Sequence, residues 1–113
     1  MATDDIRELQ YLLQELDKAI AELDSRGQAL AKAEYAYRTM MSKALLSGRA
    51  EGYPATLLLD ICRGLDSVGN ARLDRDVKKA MYDTTRERIN IIKLQARMID
   101  SQLSRDLELA GKV

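Results

Sequence analysis

The chain has 113 residues, and its 18 Lys and Arg balance its 18 Asp and Glu, so the formal net charge is zero. It contains five Tyr and one Cys but no His, Phe or Trp. Without His there is no Ser-His-Asp or Cys-His nucleophile and no His-containing zinc site. A single Cys excludes an internal disulfide and a Cys-rich metal site. This length suits one domain, and we expect residues 1–113 to form a single helical domain.

The start of the chain carries acids rather than a basic leader, and no apolar run approaches the roughly 18 residues that span a bilayer. We therefore expect a cytoplasmic protein without a membrane partner. Cys62 lies in D-I-C-R-G, where we expect it to pack as a small apolar side chain rather than to react.

The first third of the chain has apolar residues at alternating spacings of three and four, which is typical of a heptad seam. The seam consists of Ile6, Leu9, Leu13, Leu16, Ile20, Leu23, Gly27 and Leu30. Asp4 and Asp5 favour the positive end of a helix dipole, and no Pro precedes Pro54. The pattern predicts one helix over residues 4–46. Gly27 lies on the seam, where it either bends the helix or lets another helix approach closely.

A linker is predicted over residues 47–53 from S-G-R-A-E-G-Y-P, which contains two Gly and the only Pro. Pro54 suits the first turn of a short helix over residues 54–63, and Gly64 suits its end. The apolar residues of this helix are Leu57, Leu58, Leu59, Ile61 and Cys62. They surround much of it, so we expect a largely buried plug across one end of the long helices.

The last helix is predicted over residues 71–109, after a turn over residues 64–70 in which Asn70 is the cap. Its predicted core stripe is Leu73, Val77, Met81, Ile89, Ile92, Ala96, Ile99, Leu103 and Leu107. The mean spacing of this stripe is slightly above 3.6, so it is less typical of a coiled coil than the first seam. No segment has sustained strand-like alternation. The fold class is therefore all-α, with two long antiparallel helices joined by a short buried helix.

A lone hairpin of two long helices covers one stripe on each, and it leaves further apolar side chains near water. These are Tyr11, Leu12, Ile91 and Leu94. Self-association into a bundle of four or more helices covers them. We therefore expect an oligomeric helical bundle built from copies of this chain.

Enzyme motifs are missing from the sequence. The only acidic pair at i, i+3 is Asp5 with Glu8, whereas nucleotide pyrophosphohydrolases of this size repeat E-x-x-E and E-x-x-D to hold Mg²⁺. Neither G-x-x-x-x-G-K, G-x-G-x-x-G nor G-x-S-x-G occurs. We expect no enzymatic activity, and we assign no catalytic residue, metal ligand or cofactor.

Basic residues form a stripe along the last predicted helix, because four of them recur every seven residues. They are Arg72, Lys79, Arg86 and Lys93, with Arg75 nearby. One interpretation is a face that binds a nucleic-acid backbone or a phosphorylated ligand. The other is a solvated helix face, or pairing with acids of the first helix, where Glu8, Glu15 and Glu22 also recur every seven residues.

The turn C-R-G-L-D-S-V-G-N-A-R is a second candidate anion site. Backbone N–H groups of residues 69–72, together with Arg63 and Arg72, would receive a phosphate at the helix start. The alternative is two helix caps and a salt bridge with Asp66. The candidate ligand-binding residues are therefore Arg63, Arg72, Arg75, Lys79 and Arg86.

Two stretches, L-L-L-D-I-C-R-G-L-D-S-V-G-N-A-R-L-D-R-D-V and I-K-L-Q-A-R-M-I-D-S-Q, resemble small helical proteins encoded in tailed bacteriophage and prophage genomes. The resemblance covers about residues 34–105, and it rests on the R-G-x turn, the R-x-x-R-D-V helix start and the late K-L-Q-x-R. It implies a phage protein that works in the cytoplasm of a host bacterium, and it carries no assigned activity.

Three functions are compatible with these features. The first is an oligomeric binding protein that blocks a host defence protein or sequesters its nucleotide signal. The second is an accessory factor in phage DNA replication or recombination that contacts DNA through the basic stripe. The third is a structural bundle in virion assembly. We favour the first, with a host protein or a small phosphorylated ligand as the partner.

Overall fold

The computed structural model describes residues 2–111, which form three α-helices and no strand. Helix α1 spans Ala2–Ala50, α2 spans Ala55–Arg63 and α3 spans Asp66–Gly111. The prediction of an all-α chain with two long helices and one short helix is therefore confirmed.

The described residues divide into two compact units. The terminal unit consists of residues 2–24 and 83–111, and the central unit consists of Ser25–Tyr82, including all of α2. In the terminal unit the first half of α1 lies with the second half of α3. In the central unit the second half of α1 lies with the first half of α3, as in an antiparallel helix pair. Glu15 contacts Arg88 in the terminal unit, and Tyr37 contacts Arg75 in the central unit.

The buried stripe of α3 is a strict heptad seam with spacings of three and four along the helix. Its buried and half-buried members are Val68, Ala71, Arg75, Lys78, Tyr82, Thr85, Ile89, Ile92, Ala96, Ile99, Leu103 and Asp106. The predicted core residues from Ile89 to Leu103 belong to it. The prediction is wrong for Leu73, Val77, Met81 and Leu107, which are exposed.

That error has a geometric cause. A helix that keeps one face toward its neighbour over eleven turns places a contact residue at every third and fourth position in alternation. Before Thr85, most of the residues at these contact positions of α3 have polar side chains. Arg75 and Lys78 are half-buried at these positions, with long apolar stems that cover the contact. The expectation that α3 is the less regular of the two long helices is therefore wrong.

The contact face of α1 is rotated relative to the predicted seam. Leu12, Ala19 and Ala33 are buried, whereas Ile6, Leu13 and Ile20 are exposed. Predicted members such as Leu9, Leu16, Leu23 and Leu30 remain on the contact face as half-buried residues. Leu12 was expected near water in a lone hairpin, and that expectation is wrong because a buried heptad seam runs through it.

Helix α1 continues past the predicted end at residue 46 to Ala50, and the chain turns at Gly52, whose φ is 84°. Gly48, predicted to lie in the linker, is instead a buried helical residue packed against Leu58. A Cβ on Gly48 would clash with the Leu58 side chain, so the absence of one lets α2 dock on α1.

Helix α2 has one buried face rather than the largely buried surface predicted for it. Leu58 and Cys62 are buried, while Leu57 and Leu59 are exposed. A helix of nine residues that packs against a neighbour on one side has its other side in water. The predicted packing of Cys62 as a buried apolar side chain is confirmed.

The predicted turn over residues 64–70 comprises only Gly64 and Leu65, because α3 begins at Asp66. Asp66 favours the positive end of the helix dipole, and the Gly69 N–H donates a helical hydrogen bond to the Leu65 carbonyl at 2.9 Å. Asn70 therefore lies inside the helix and does not cap it. The extra turn buries Val68, which is 1% exposed.

Candidate functional site

The acids of α1 pair with a basic residue outside the predicted stripe. In the terminal unit, Arg88 Nη2 lies 3.0 Å from Glu15 Oε2, and Arg88 Nη1 lies 3.4 Å from Glu22 Oε2. From the sequence, antiparallel pairing of the long helices predicts that facing residue numbers sum to about 113–116, which places Glu15 near Arg97 or Met98 and Glu22 near Lys93. Arg88 precedes these expected partners by about five to ten residues, or roughly one and a half to three helical turns, so the expected pairs of Glu15 with Arg97 or Met98 and of Glu22 with Lys93 are wrong.

The α1–α3 contact of the terminal unit has two sides, which we call its flanks. The ion pairs of Arg88 identify which residues of the two helices lie on the same flank. On α1, Glu15 and Glu22 lie on one side of the contact face, and Leu13 and Ile20 lie on the other side. On α3, Arg88 lies on the side of the glutamates. The opposite side of α3 in the terminal unit carries the stripe residues Arg86 and Lys93, each of which follows a seam residue by one position.

Leu13, Ile20, Arg86 and Lys93 therefore share one flank of the terminal unit, which we call the apolar–basic flank. Leu13 and Ile20 are 50% and 48% exposed, and both basic residues are exposed as well. On the α1 side this flank is bordered by Asp17, which is also exposed. The flank thus has an apolar centre, a basic edge on α3 and an acidic residue on its α1 edge.

Arg75 is already engaged in the central unit. Its guanidinium carbon lies 4.5 Å from the centre of the Tyr37 ring, and its Nε and Nη2 both donate to Asp76 Oδ1. Its side chain is only 28% exposed. The guanidinium is thus engaged within the chain by cation–π stacking and charge-assisted hydrogen bonds, which an anion bound at Arg75 would have to share or displace.

The turn before α3 does not form the predicted phosphate site. The Gly69 N–H is used within the helix, so the backbone donors expected at residues 69–72 are not at a helix start. Arg63 lies 3.9 Å from Asp60 across exposed side chains, rather than pairing with Asp66. Such an exposed, long ion pair contributes little to stability.

The remaining stripe residues of the central unit are exposed on α3. Arg72 forms no side-chain hydrogen bond or ion pair within residues 2–111, whereas Lys79 interacts with another residue of the chain. Of the five candidate residues, Arg72, Lys79 and Arg86 therefore share one exposed column of α3, while Arg63 and Arg75 lie elsewhere. The structure does not gather the five into one pocket.

A hollow in the terminal unit has a volume of about 450 Å³. Its lining residues are Asp5, Arg97, Met98, Ile99, Ser101, Gln102 and Arg105. It combines two arginines with a carboxylate, and Asp5 Oδ2 is buried there without a hydrogen-bond partner. Asp5 is distant along the chain from the other lining residues, which all lie within Arg97–Arg105 of α3, so only the fold brings its carboxylate to them.

Residues 2–111 contain no group of three or more His, Cys, Asp or Glu side chains arranged to hold a metal ion. No helix in this range has an apolar stretch long enough to cross a bilayer.

Comparisons with protein-family models, with curated proteins and with solved structures gave no match to this chain.

Proposed function

We propose that this chain is a homo-oligomeric, non-enzymatic binding protein that captures an amphipathic helix of a partner protein on its apolar–basic flank. The observation that supports it is the joint exposure of Leu13 and Ile20 beside Arg86 and Lys93. Apolar residues one heptad apart form the row that a partner helix needs to bury its own apolar stripe.

The charges at the two edges of this flank favour one orientation of the partner helix. Arg86 and Lys93 suit an acidic edge, and Asp17 on the opposite side suits a basic residue. A helix with apolar residues at i, i+3 and i+7 and acids along one edge is therefore the partner chemistry that fits best.

The resemblance to phage proteins suggests where such a helix comes from. A phage protein in the cytoplasm of a host bacterium meets host proteins, and occupying a helix that one of them needs for assembly would block it. We therefore favour an antagonist of a host defence component. Sequestration of a nucleotide signal has less support, because Arg75 and Arg63 of the predicted anion set are engaged with Tyr37, Asp76 and Asp60.

Fluorescence-anisotropy titration with labelled probes tests this proposal. The probes are a designed amphipathic helical peptide with an acidic edge, the same peptide with that edge made basic, single-stranded DNA and a cyclic dinucleotide. We expect saturable binding of the acidic peptide and at least tenfold weaker binding after Leu13→Lys with Ile20→Lys. Leu46→Lys, at a leucine of α1 that is 66% exposed and lies outside the flank, is the matched control and should bind normally.

Other outcomes would replace the proposal. Salt-sensitive DNA binding that is lost in Arg72→Glu with Lys79→Glu would support the replication or recombination factor. Saturable binding of the cyclic dinucleotide would support nucleotide sequestration. If none of the four probes bound, the structural role in virion assembly would be the remaining candidate function.

A further inference from the structure

The face of α3 opposite its buried seam carries a second heptad seam. We call it the outer seam, and its residues are Asn70, Leu73, Val77, Ala80, Thr84, Glu87, Ile91, Leu94, Met98 and Ser101. All ten are exposed, and their spacings alternate between three and four without interruption. This pattern is the one that a helix needs to pack against another helix along its length, and over these residues it covers about 45 Å at 1.5 Å per residue.

The outer seam has nearly the same chemistry when it is read from either end. Its midpoint falls between Thr84 and Glu87. Residues at equal distances from that midpoint are Ala80 and Ile91, Val77 and Leu94, Leu73 and Met98, and Asn70 and Ser101. Each apolar residue in the first half therefore has an apolar counterpart in the second half, and the polar residues have polar counterparts.

We propose that the outer seam is the contact surface for a second copy of this chain, with α3 packed antiparallel on α3 about a two-fold axis near residues 84–87. A surface that pairs with itself about a two-fold axis must be self-complementary, and the mirrored order of the outer seam meets this requirement. The inference specifies the self-association included in the proposed function, and it does not depend on what the apolar–basic flank binds.

Charge favours the antiparallel orientation over the parallel one. Beside the outer seam, the first half of α3 carries the acids Asp74, Asp76 and Asp83. The second half carries the bases Arg88 and Arg97. Asp74 and Arg88 are already paired within their own chain, with Lys78 and with Glu15 and Glu22. The orientation therefore depends mainly on Asp76 and Arg97, which antiparallel packing brings together and parallel packing keeps apart.

One cross-pair is particularly well placed. In the antiparallel arrangement Asp76 of one copy lies opposite Arg97 of the other. Arg75 of the same chain donates to Oδ1 of Asp76, so Oδ2 can accept from the second copy's Arg97. The pair is at the edge of the contact, where it affects orientation more than affinity.

The polar centre of the outer seam determines the register. About the proposed axis, Glu87 of each copy faces Thr84 of the other, and the threonine hydroxyl can donate to the carboxylate. A shift of one heptad in either direction would instead place Glu87 against Val77 or Ile91. Burying a carboxylate against an aliphatic side chain is costly, so this layer selects one register among the alternatives.

Sedimentation velocity at micromolar concentrations tests the association itself. We expect a species of twice the 12.7 kDa chain mass, and we expect Ile91→Lys with Leu94→Lys to convert it to a folded monomer. The matched control is Leu13→Lys with Ile20→Lys, which changes two comparably exposed residues on α1 and should leave the dimer intact. Circular dichroism confirms that each variant is helical.

Disulfide trapping tests the orientation. Ala80→Cys with Ile91→Cys should form covalent dimers on oxidation, because residue 80 of one copy faces residue 91 of the other. Ala80→Cys alone should not, since the two copies of residue 80 are about 16 Å apart along the axis at 1.5 Å per residue. The native Cys62 is buried and is present equally in both variants.

Charge exchange provides an independent check on the same arrangement. Asp76→Arg should raise the dimer dissociation constant about two- to fivefold, and adding Arg97→Asp to the same chain should restore it. A wild-type monomer at tens of micromolar would overturn the inference. So would cross-linking of Ala80→Cys alone, which indicates a parallel pair, or unchanged dimerisation of the Ile91→Lys with Leu94→Lys variant. None of these results affects peptide binding at the apolar–basic flank, which the Leu13→Lys with Ile20→Lys variant tests separately.

Discussion

The two units of this chain use the same helix-pair geometry with different side chains. The core of the terminal unit is aliphatic and consists of Leu12, Ala19, Ile89 and Ile92, with Leu16, Leu23, Ala96 and Ile99 packed around it. In the central unit, the α1–α3 contact also includes small and polar groups. There Arg75 stacks on Tyr37, Arg26 Nη1 donates to the Met81 carbonyl at 3.1 Å, and the Tyr82 ring approaches Gly27.

Gly27 is one of the small groups at the α1–α3 contact of the central unit. A Cβ on Gly27 would lie 3.3 Å from Tyr82 Cε2, so the missing side chain makes room for the ring. Of the two roles predicted for this glycine, close approach of another helix is the one observed. The central unit also gains apolar burial from α2, which contributes Leu58 and Cys62. The heptad position of a residue therefore determines which residues of the other helix it contacts. The chemistry of the two side chains determines how much that contact stabilises the fold.

The largest expected effect is on the docking of α2. Leu58→Asp should lower the free energy of unfolding by about 3–5 kcal/mol, because it places an unpaired carboxylate where Leu58 packs against Gly48. Urea denaturation followed by circular dichroism measures the change. The adjacent Leu57 is 52% exposed, and Leu57→Asp should cost less than about 1 kcal/mol. Equal effects of the two substitutions would show that α2 has no preferred buried face.

A smaller loss is expected in the aliphatic core of the terminal unit. Leu12→Ala should cost about 2–4 kcal/mol from lost burial and the cavity left behind. Leu13, the next residue, is 50% exposed, and Leu13→Ala should cost under about 1 kcal/mol. Equilibrium unfolding of both variants at one protein concentration provides the comparison. A larger loss at Leu13 than at Leu12 would restore the seam predicted from the sequence.

The smallest effect is expected at the polar contact of the central unit. Arg75→Met retains the apolar stem but removes the cation above Tyr37, and it should cost about 0.5–1 kcal/mol. Arg72→Met removes an exposed charge three residues away and should change stability by less than about 0.5 kcal/mol. Thermal unfolding at low and high salt measures both variants. If Arg72→Met destabilised as much as Arg75→Met, the stacking on Tyr37 would not explain the central contact.

The positions of the three helices follow from the sequence more closely than their buried faces do. The absence of strand patterning, the long 3–4 spacing and the Gly–Pro linker were sufficient for three helices, with Cys62 in the buried part of the short one. The buried face of α3 before Thr85 could not be recognised by hydrophobicity, because Arg75 and Lys78 occupy it while Leu73, Val77 and Met81 are exposed. The basic stripe can be recognised in the sequence as a seven-residue repeat. The residues of α1 that lie beside it cannot be recognised in this way.

What the sequence determined by itself is the class of protein: helical, without His or the usual enzyme motifs, and with more apolar stripes than one pair of helices covers. These properties follow from composition and local periodicity, which depend on residues close together in the chain. Only the tertiary structure decided which stripe is buried, that Arg88 rather than Lys93 pairs with Glu22, and that Arg86 shares a flank with Ile20. Those outcomes depend on the register between α1 and α3, and residues some seventy positions apart set that register by packing together.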